Sequence, residues 1–523
     1  MNCHRNKFFV CLLLAFGLHL SATCAQEGIL DGLGDAAAEN EAPARPNQAN
    51  FPDFFGGQRQ LSPEEQQQLQ DQIQKLNTDA KAKEAAGDID GAIAAYNESL
   101  AVASNFEAHY GKGRLLREQG YNEEAIQSFL QALGTMTALE DTNLILQNYL
   151  ELGKAYLDTE QFNTAIAAFS TALSLQGQSR NPEVLFNLGL AQTEFALSQQ
   201  FSPAQTRQED LQKGLAYYDR AIKAQPDYPE ALYERGSTHL LLGDLESAME
   251  DLEKAVELDP TNPEAVAQLG FASLRRGLTE SNRRNGQLAQ IIEDLQLALA
   301  QFTQYLQLVP EPAKDLPEEE LPEIRRENIY LQRSAANIGL GEETHGDRSR
   351  VYFQNAITDA EEAIRLQPEL PDGYYQKGLS KRLLGDIDGA MDAWNETLTI
   401  SPTNTETLLR RGILHYRRGD LELAKADLEK AVRFSGGFNA RAYFWLGICH
   451  SNEGNPNRAI TEYSRAIRFD PFFSLAYHNR GLSYMKIGRF TQATQDFNEV
   501  LRREPENTAV KALRDQALGL SDK

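Results

Sequence analysis

One phrase, Gly-Asp-[Ile/Leu]-x-x-Ala, is written four times in this chain: in "EAAGDIDGAIA" at 84–94, "LLLGDLESAME" at 240–250, "RLLGDIDGAMD" at 382–392 and "YRRGDLELAKA" at 416–426. Self-similarity of this kind constrains the fold more than any local motif, because each unit must bury its apolar face against the next. Placed in register, Pro229–Asn262, Pro371–Asn404 and Ser474–Asn507 are each 34 residues long. A small residue stands at repeat position 8 (Gly236, Gly378, Gly481), Gly at 15, Ala at 20 and Pro at 32. The same register places Gly113, Gly153, Gly189, Gly270, Gly412 and Gly447 at position 8. Position 24 holds a large residue throughout, among them Tyr96, Phe129, Phe169, Tyr218, Phe302, Trp394, Tyr463 and Phe497.

The spelling follows from helix physics. Two helices of about a dozen residues each form a hairpin, and axes about 8–10 Å apart favour small side chains at contact points. Glycine at position 8 costs its helix about 1 kcal/mol relative to Ala, which close packing must offset. Glycine at position 15 suits a helix end, and the Asp after it suits the start of the next helix. Proline at position 32 stops the second helix, since it lacks an N–H and clashes with the preceding turn. The Gly-Asp pairs at 87, 243, 385 and 419 are therefore expected between the two helices of a hairpin.

This pattern resembles the tetratricopeptide repeat (TPR). The resemblance implies an all-α fold, an alpha-alpha superhelix of about eleven helical hairpins over 73–507, without sheet. A helix at 61–72 leads in, with Ser62, Pro63 and Glu65 fitting its cap, and "TAVKALRDQALGLSDK" at 508–523 suits a polar helix covering the last interface. Three repeats are swollen. The fourth gains thirteen residues, with "FSPAQTRQEDLQK" extending its second helix from a cap at Ser202. The sixth gains about sixteen, and the seventh carries "GLGEETHGDRSR" at 339–350. The acidic, proline-rich stretch at 313–327 reads as a joint between one array at 73–312 and a second at 328–507.

The N-terminus follows other rules. Arg5 and Lys7 precede an apolar run from Phe8 to Leu20, and "SATCAQ" then supplies small residues. This is the pattern of a secretory signal over 1–25, and it predicts export to the periplasm or beyond. Retention as an uncleaved membrane anchor is the alternative, although the apolar run is shorter than the roughly 20 residues of a spanning helix. Residues 26–60, rich in Ala, Asn, Gln, Gly and Pro, read as a disordered tail, with "FPDFFGG" at 51–57 as a contact or docking motif. Three of the four cysteines lie in the signal, so the mature chain keeps Cys449 and no disulfide framework.

Charge narrows the partners. With 51 basic and 75 acidic side chains the net charge is −24, a poor match for nucleic acid or an anionic membrane. The excess is uneven: residues 1–370 hold 29 basic against 56 acidic, and 371–507 hold 19 against 17. No phosphate-binding loop, metal-spaced Cys pair or His-Glu-x-x-His motif occurs, so neither an enzyme nor a cofactor or metal site is expected. His239, His415 and His450 share repeat position 11 and read as aromatic filling, Cys449 as a buried small side chain, and His345 with Glu342, Glu343 and Asp347 as a loose polar cluster. The resemblance implies a non-catalytic scaffold that takes a protein or peptide in the groove lined by first helices. Groove positions 2, 5, 6, 9, 12 and 13 then give Arg410, Tyr416, Arg417, Arg441, Phe444, Trp445, His478 and Asn479 in repeats nine to eleven. The family's chaperone-type clamp for a terminal carboxylate is absent around Asn187, where Leu150, Lys154, Glu230 and Glu234 stand at its other positions. A regulatory or assembly subunit of an enzyme complex, with catalysis supplied by a partner chain, is the alternative.

Overall fold

The computed structural model describes residues 62–136, 141–175, 177–199, 201–283, 288–312, 321–322 and 324–521. The expected signal, the tail with its Phe-rich motif, and most of the 313–327 joint lie outside these residues. Every regular element among the described residues is an α-helix. They pair as hairpins: α1 (Pro63–Ala85) with α2 (Ile89–Val102), α3 (Phe106–Glu118) with α4 (Asn122–Gly134), α5 (Thr142–Asp158) with α6 (Phe162–Ser174), and α7 (Pro182–Ser198) with α8 (Ala204–Ala224). Next come α9 (Pro229–Leu242) with α10 (Leu245–Leu258), α11 (Pro263–Arg283) with α12 (Leu288–Leu308), and α13 (Arg326–Glu343) with α14 (Asp347–Leu366). The last four pairs are α15 (Pro371–Leu384) with α16 (Ile387–Ile400), α17 (Thr405–Arg418) with α18 (Leu421–Phe434), α19 (Ala440–Asn452) with α20 (Pro456–Phe469), and α21 (Ser474–Lys486) with α22 (Phe490–Arg503). A final helix, α23 (Thr508–Ser521), buries Val510 and Ala517 against the last hairpin.

All four Gly-Asp pairs are elbows between the helices of one hairpin. Gly87, Gly243, Gly385 and Gly419 adopt φ of +79°, +82°, +87° and +89°, the left-handed region open to glycine. Asp88, Asp244 and Asp386 then cap the second helix by accepting from a backbone N–H three residues on. Asp420 makes no such bond. Ser202 departs from expectation too: α8 is extended to 21 residues, but Pro203 occupies its cap position and Ser202 donates to Gln199 instead. At the N-terminus the capping box of Ser62 and Glu65 forms, and α1 runs unbroken to Ala85, so the leading helix and the first repeat's first helix are one. The 339–350 stretch is an elbow at Thr344–Gly346 flanked by helix, not a long loop.

Inside a hairpin, positions 8 and 24 meet. A Cβ on Gly113 would lie 2.7 Å from the Phe129 ring, and one on Gly481 2.8 Å from Phe497. Gly447 faces Tyr463, Gly378 faces Trp394 and Gly341 faces Phe353 in the same way. Where position 24 is leucine, as opposite Gly412, the nearest atom (Leu428 Cγ) is 3.0 Å away. The large residue fills the space that the missing methyl leaves, and Trp394, Tyr463, Phe129 and Phe497 are among the most deeply buried side chains.

An Arg–Asp clamp recurs at positions 7 and 23. Arg411 donates through Nε and Nη2 to Asp427 at 2.7 and 2.8 Å, and Arg480 to Asp496 at 2.9 and 2.7 Å. Arg235–Asp251 repeats it at the same positions, Arg276 grips Asp294 in the same way from outside this register, and Arg333 donates through Nε and Nη2 to one oxygen of Asp359. In four of them the remaining nitrogen reaches the previous hairpin's second helix: Arg235 to Asp219, Arg333 to Thr303, Arg411 to Asn395, Arg480 to Ser464. One fork thus ties three helices together, and the carboxylates lie almost fully buried beneath it.

The described residues form two compact units that part within α11, between Gln268 and Leu269. The first contains the hairpins from α1 to α10. The second contains the rest of α11 and α12 to α23. Helix α12, expected with the first array, packs on α13, where Arg326 donates to the carbonyls of Leu306 and Val309. Among the described residues no helix is long and apolar enough to cross a membrane.

Candidate functional site

Within the second unit the first helices of successive hairpins touch one another: α13 with α15, α17 with α19, and α19 with α21. Elements on the inside of a curved stack approach most closely, so the first helices form its inner rank. The residues expected to line this face divide into three groups. Arg410, Tyr416, Arg417, Arg441 and Trp445 keep solvent-accessible surface and lie on neighbouring helices α17 and α19. His478 and Asn479 sit one hairpin on, with His478 edge-on to Phe497 and the Asn479 amide donating to the Leu475 carbonyl of its own helix. Phe444 is a correction. It is 7% exposed and packs against Phe473 at 4.9 Å, Tyr463 at 5.9 Å and Trp445 at 5.8 Å, so it belongs to the core between hairpins.

Two patches make up the face. The aromatic one joins Tyr416 and Trp445, with ring centroids 5.5 Å apart and planes at 58°. Both are partly buried and pack against the core cluster that holds Leu408, Leu409, Leu428 and Leu446. The polar patch centres on Tyr375 of α15. Arg410 Nε donates to Tyr375 Oη at 2.8 Å, with its guanidinium 5.8 Å from the ring centre, and also pairs with Glu406 at 2.8 Å. Arg441 reaches the same Glu406 oxygen at 3.6 Å. Burial lifts the Tyr375 phenol to about 12, so it stays protonated. Its oxygen accepts from Arg410, which leaves its proton for a further acceptor.

Two more cations complete this patch. Arg382, on α15, lies within electrostatic reach of Arg410, Arg417, Glu342 and Tyr375. Burial, and then the charge of Arg410, pulls its guanidinium below the ordinary arginine value, and Glu342 opposes them. Its Nε is buried without a hydrogen-bond partner. Tyr375 and Arg382 were missed in the sequence, although they occupy groove positions 5 and 12 of the eighth repeat. Carrying the same positions one repeat further toward the N-terminus finds both.

No described group of His, Cys, Asp and Glu is arranged to hold a metal ion. The position-11 histidines sit beside acids at their hairpin elbows: His239 near Asp244, His415 near Asp420, and His450 hydrogen-bonded to Glu453 at 3.1 Å. His345 is exposed at the elbow after α13. Cys449 is buried, and burial pushes its thiol up to about 11, far from the thiolate a nucleophile needs.

Consecutive helical hairpins with a side-chain-lined inner rank define a repeat scaffold. Tetratricopeptide repeat profiles match residues 78–138, 150–195, 204–268, 409–472 and 474–507, together just over half of the sequence, and the chain belongs to that family. It is 26% identical over 157 residues to human tetratricopeptide repeat protein 6, covering 30% of each chain. It is also 26% identical over 160 residues to a TPR repeat-containing protein of Methanocaldococcus jannaschii, covering 30% of this chain and 28% of that one. These matches thus span under a third of the length of either relative. Among solved structures, yeast Tom70 aligns with a TM-score of 0.38 at 15% identity, covering 86% of this chain and 95% of that one. Proteins of this family are in general protein-interaction scaffolds.

Proposed function

We propose that this chain is a non-catalytic scaffold, exported through residues 1–25, that takes a protein or peptide on the first-helix face of its second unit. The observation that carries the reading is the convergence of Tyr375, Arg410, Tyr416, Arg441 and Trp445 on adjoining first helices. Arginine and the large aromatics are the side chains enriched at binding hot spots, since they combine desolvated area with directional donors. The charge distribution supports the same face, because the acidic excess of the first 370 residues is absent from 371–507.

The test is the double substitution Arg441→Ala/Trp445→Ala in the full chain, measured against whichever protein the unaltered chain retains from its own source. Binding should weaken by about 2 kcal/mol or more, roughly thirtyfold, if the two are hot spots. Circular dichroism must show the variant folded, since truncating a half-buried aromatic also leaves a cavity. Undiminished binding by a folded double variant would refute the site. Export is checked separately: the mass of the chain recovered outside the cytoplasm should lack the segment ending near Cys24 or Ala25.

A further inference from the structure

We propose that Tyr375, Arg382, Arg410 and Arg417 form a carboxylate-binding patch, and that the partner presents an acidic peptide segment to it. This rests on the reading that the first-helix face docks a partner, and goes on to name that partner's chemistry.

Five other half-buried arginines of this chain are treated differently. Arg235, Arg276, Arg411 and Arg480 each have an Asp fork-to-fork beneath them, and Arg333 donates twice to one oxygen of Asp359. In these five the sequence supplies the counter-ion sixteen to twenty-six residues on. The groove breaks this rule. Arg410 and Arg441 share a single acid, Glu406. Arg382, half-buried, and Arg417, exposed, have no ion-pair partner among the described residues. Around Tyr375 and Arg382 four guanidiniums thus face the carboxylates Glu342 and Glu406, with Glu343 beside Glu342, in a chain whose net charge is −24.

That imbalance has a cost in the free protein. A donor buried without a partner, as Arg382 Nε is, forfeits its hydrogen bond to water and gains none. Neighbouring like charges add to the penalty. A carboxylate between Arg382 and Tyr375 relieves both, accepting from the guanidinium and from the phenol proton that Arg410 leaves free. Tyr416 on α17 and Trp445 on α19, both partly exposed, offer aromatic surface to apolar side chains of the same segment. Several carboxylates are required, since the patch's cations are spread over α15 and α17, with Arg441 beside them on α19, rather than gathered at one point. Nucleic acid fits poorly: the patch is small, and the acidic surface of the rest of the chain repels a polyanion.

The experiment measures fluorescence anisotropy of a labelled, end-blocked peptide of alternating Glu and Tyr with the full chain. The same peptide with Lys in place of Glu and a single-stranded oligonucleotide serve as comparisons. The Glu–Tyr peptide should bind, and its affinity should fall as salt rises. Arg382→Gln and Arg417→Gln should each weaken it by about tenfold or more, Arg382→Lys should weaken it less, and Arg433→Gln, exposed on a second helix, should leave it unchanged. Matching thermal melts would show that the effects are not unfolding. No binding, equal binding of the Lys–Tyr peptide, tighter binding of the oligonucleotide, or indifference to both Gln variants would each overturn the assignment. The docking reading fails separately. If Arg441→Ala/Trp445→Ala abolishes partner binding while Arg382→Gln and Arg417→Gln do not affect it, the face docks a partner that is not acidic.

Discussion

At the scale of single residues, the pairing of position 8 with position 24 explains why glycine recurs in the middle of helices. Alanine would be the better helix former by about 1 kcal/mol, yet the Phe497 ring occupies the space a methyl on residue 481 would need. Gly481→Ala should therefore lower stability by about 1–3 kcal/mol, the usual cost of overpacking. Gly412→Ala, facing the smaller Leu428, should be close to neutral because the propensity gain offsets a milder clash. Urea denaturation of the two variants checks this, and an equal loss at both sites would show that ring contact is not what selects glycine. Both positions were visible in the sequence as separate preferences. Their contact was not, because only the hairpin geometry brings residues sixteen apart face to face. Phe444 shows the opposite limit. It and Trp445 are neighbours at candidate groove positions, but a helix turns about 100° per residue, and Phe473 and Tyr463 close over one and not the other.

At the scale of elements, the hairpins were legible in boundary and order because glycine, aspartate and proline mark helix ends by backbone chemistry. Helices α10, α16 and α22 each end two residues before the proline at position 32. Less legible was what locks one hairpin to the next. Charged residues at positions 7 and 23 look like solvated helix surface, and only the structure shows Arg411 bridging α17, α18 and α16 with Asp427 buried at 4% exposure. Asp427→Ala should cost about 3–5 kcal/mol, since it strands a half-buried guanidinium. Asn395→Ala, which removes only the outer tie, should cost about 1 kcal/mol. Thermal melts of both variants test the ranking, and a larger loss for Asn395→Ala would contradict it.

At the scale of the whole molecule, different lengths of chain carry different charge. The acidic excess is carried before residue 371, while the later hairpins are near neutral and place their surplus arginines on the first-helix face. The five clamp arginines each have their own Asp, whereas Arg410 and Arg441 share Glu406 and Arg382 and Arg417 have no ion-pair partner among the described residues, so the groove is where a ligand gains most by bringing its own acceptors. The most direct measurement places the photo-crosslinking residue p-benzoylphenylalanine at Trp445 in the full chain, and in a second version at Glu429, exposed on a second helix. Irradiation in the source cell should yield a covalent adduct with a partner protein from position 445 and none from 429. Adducts from 429 with none from 445 would contradict the claim that the first helices of the second unit hold the partner.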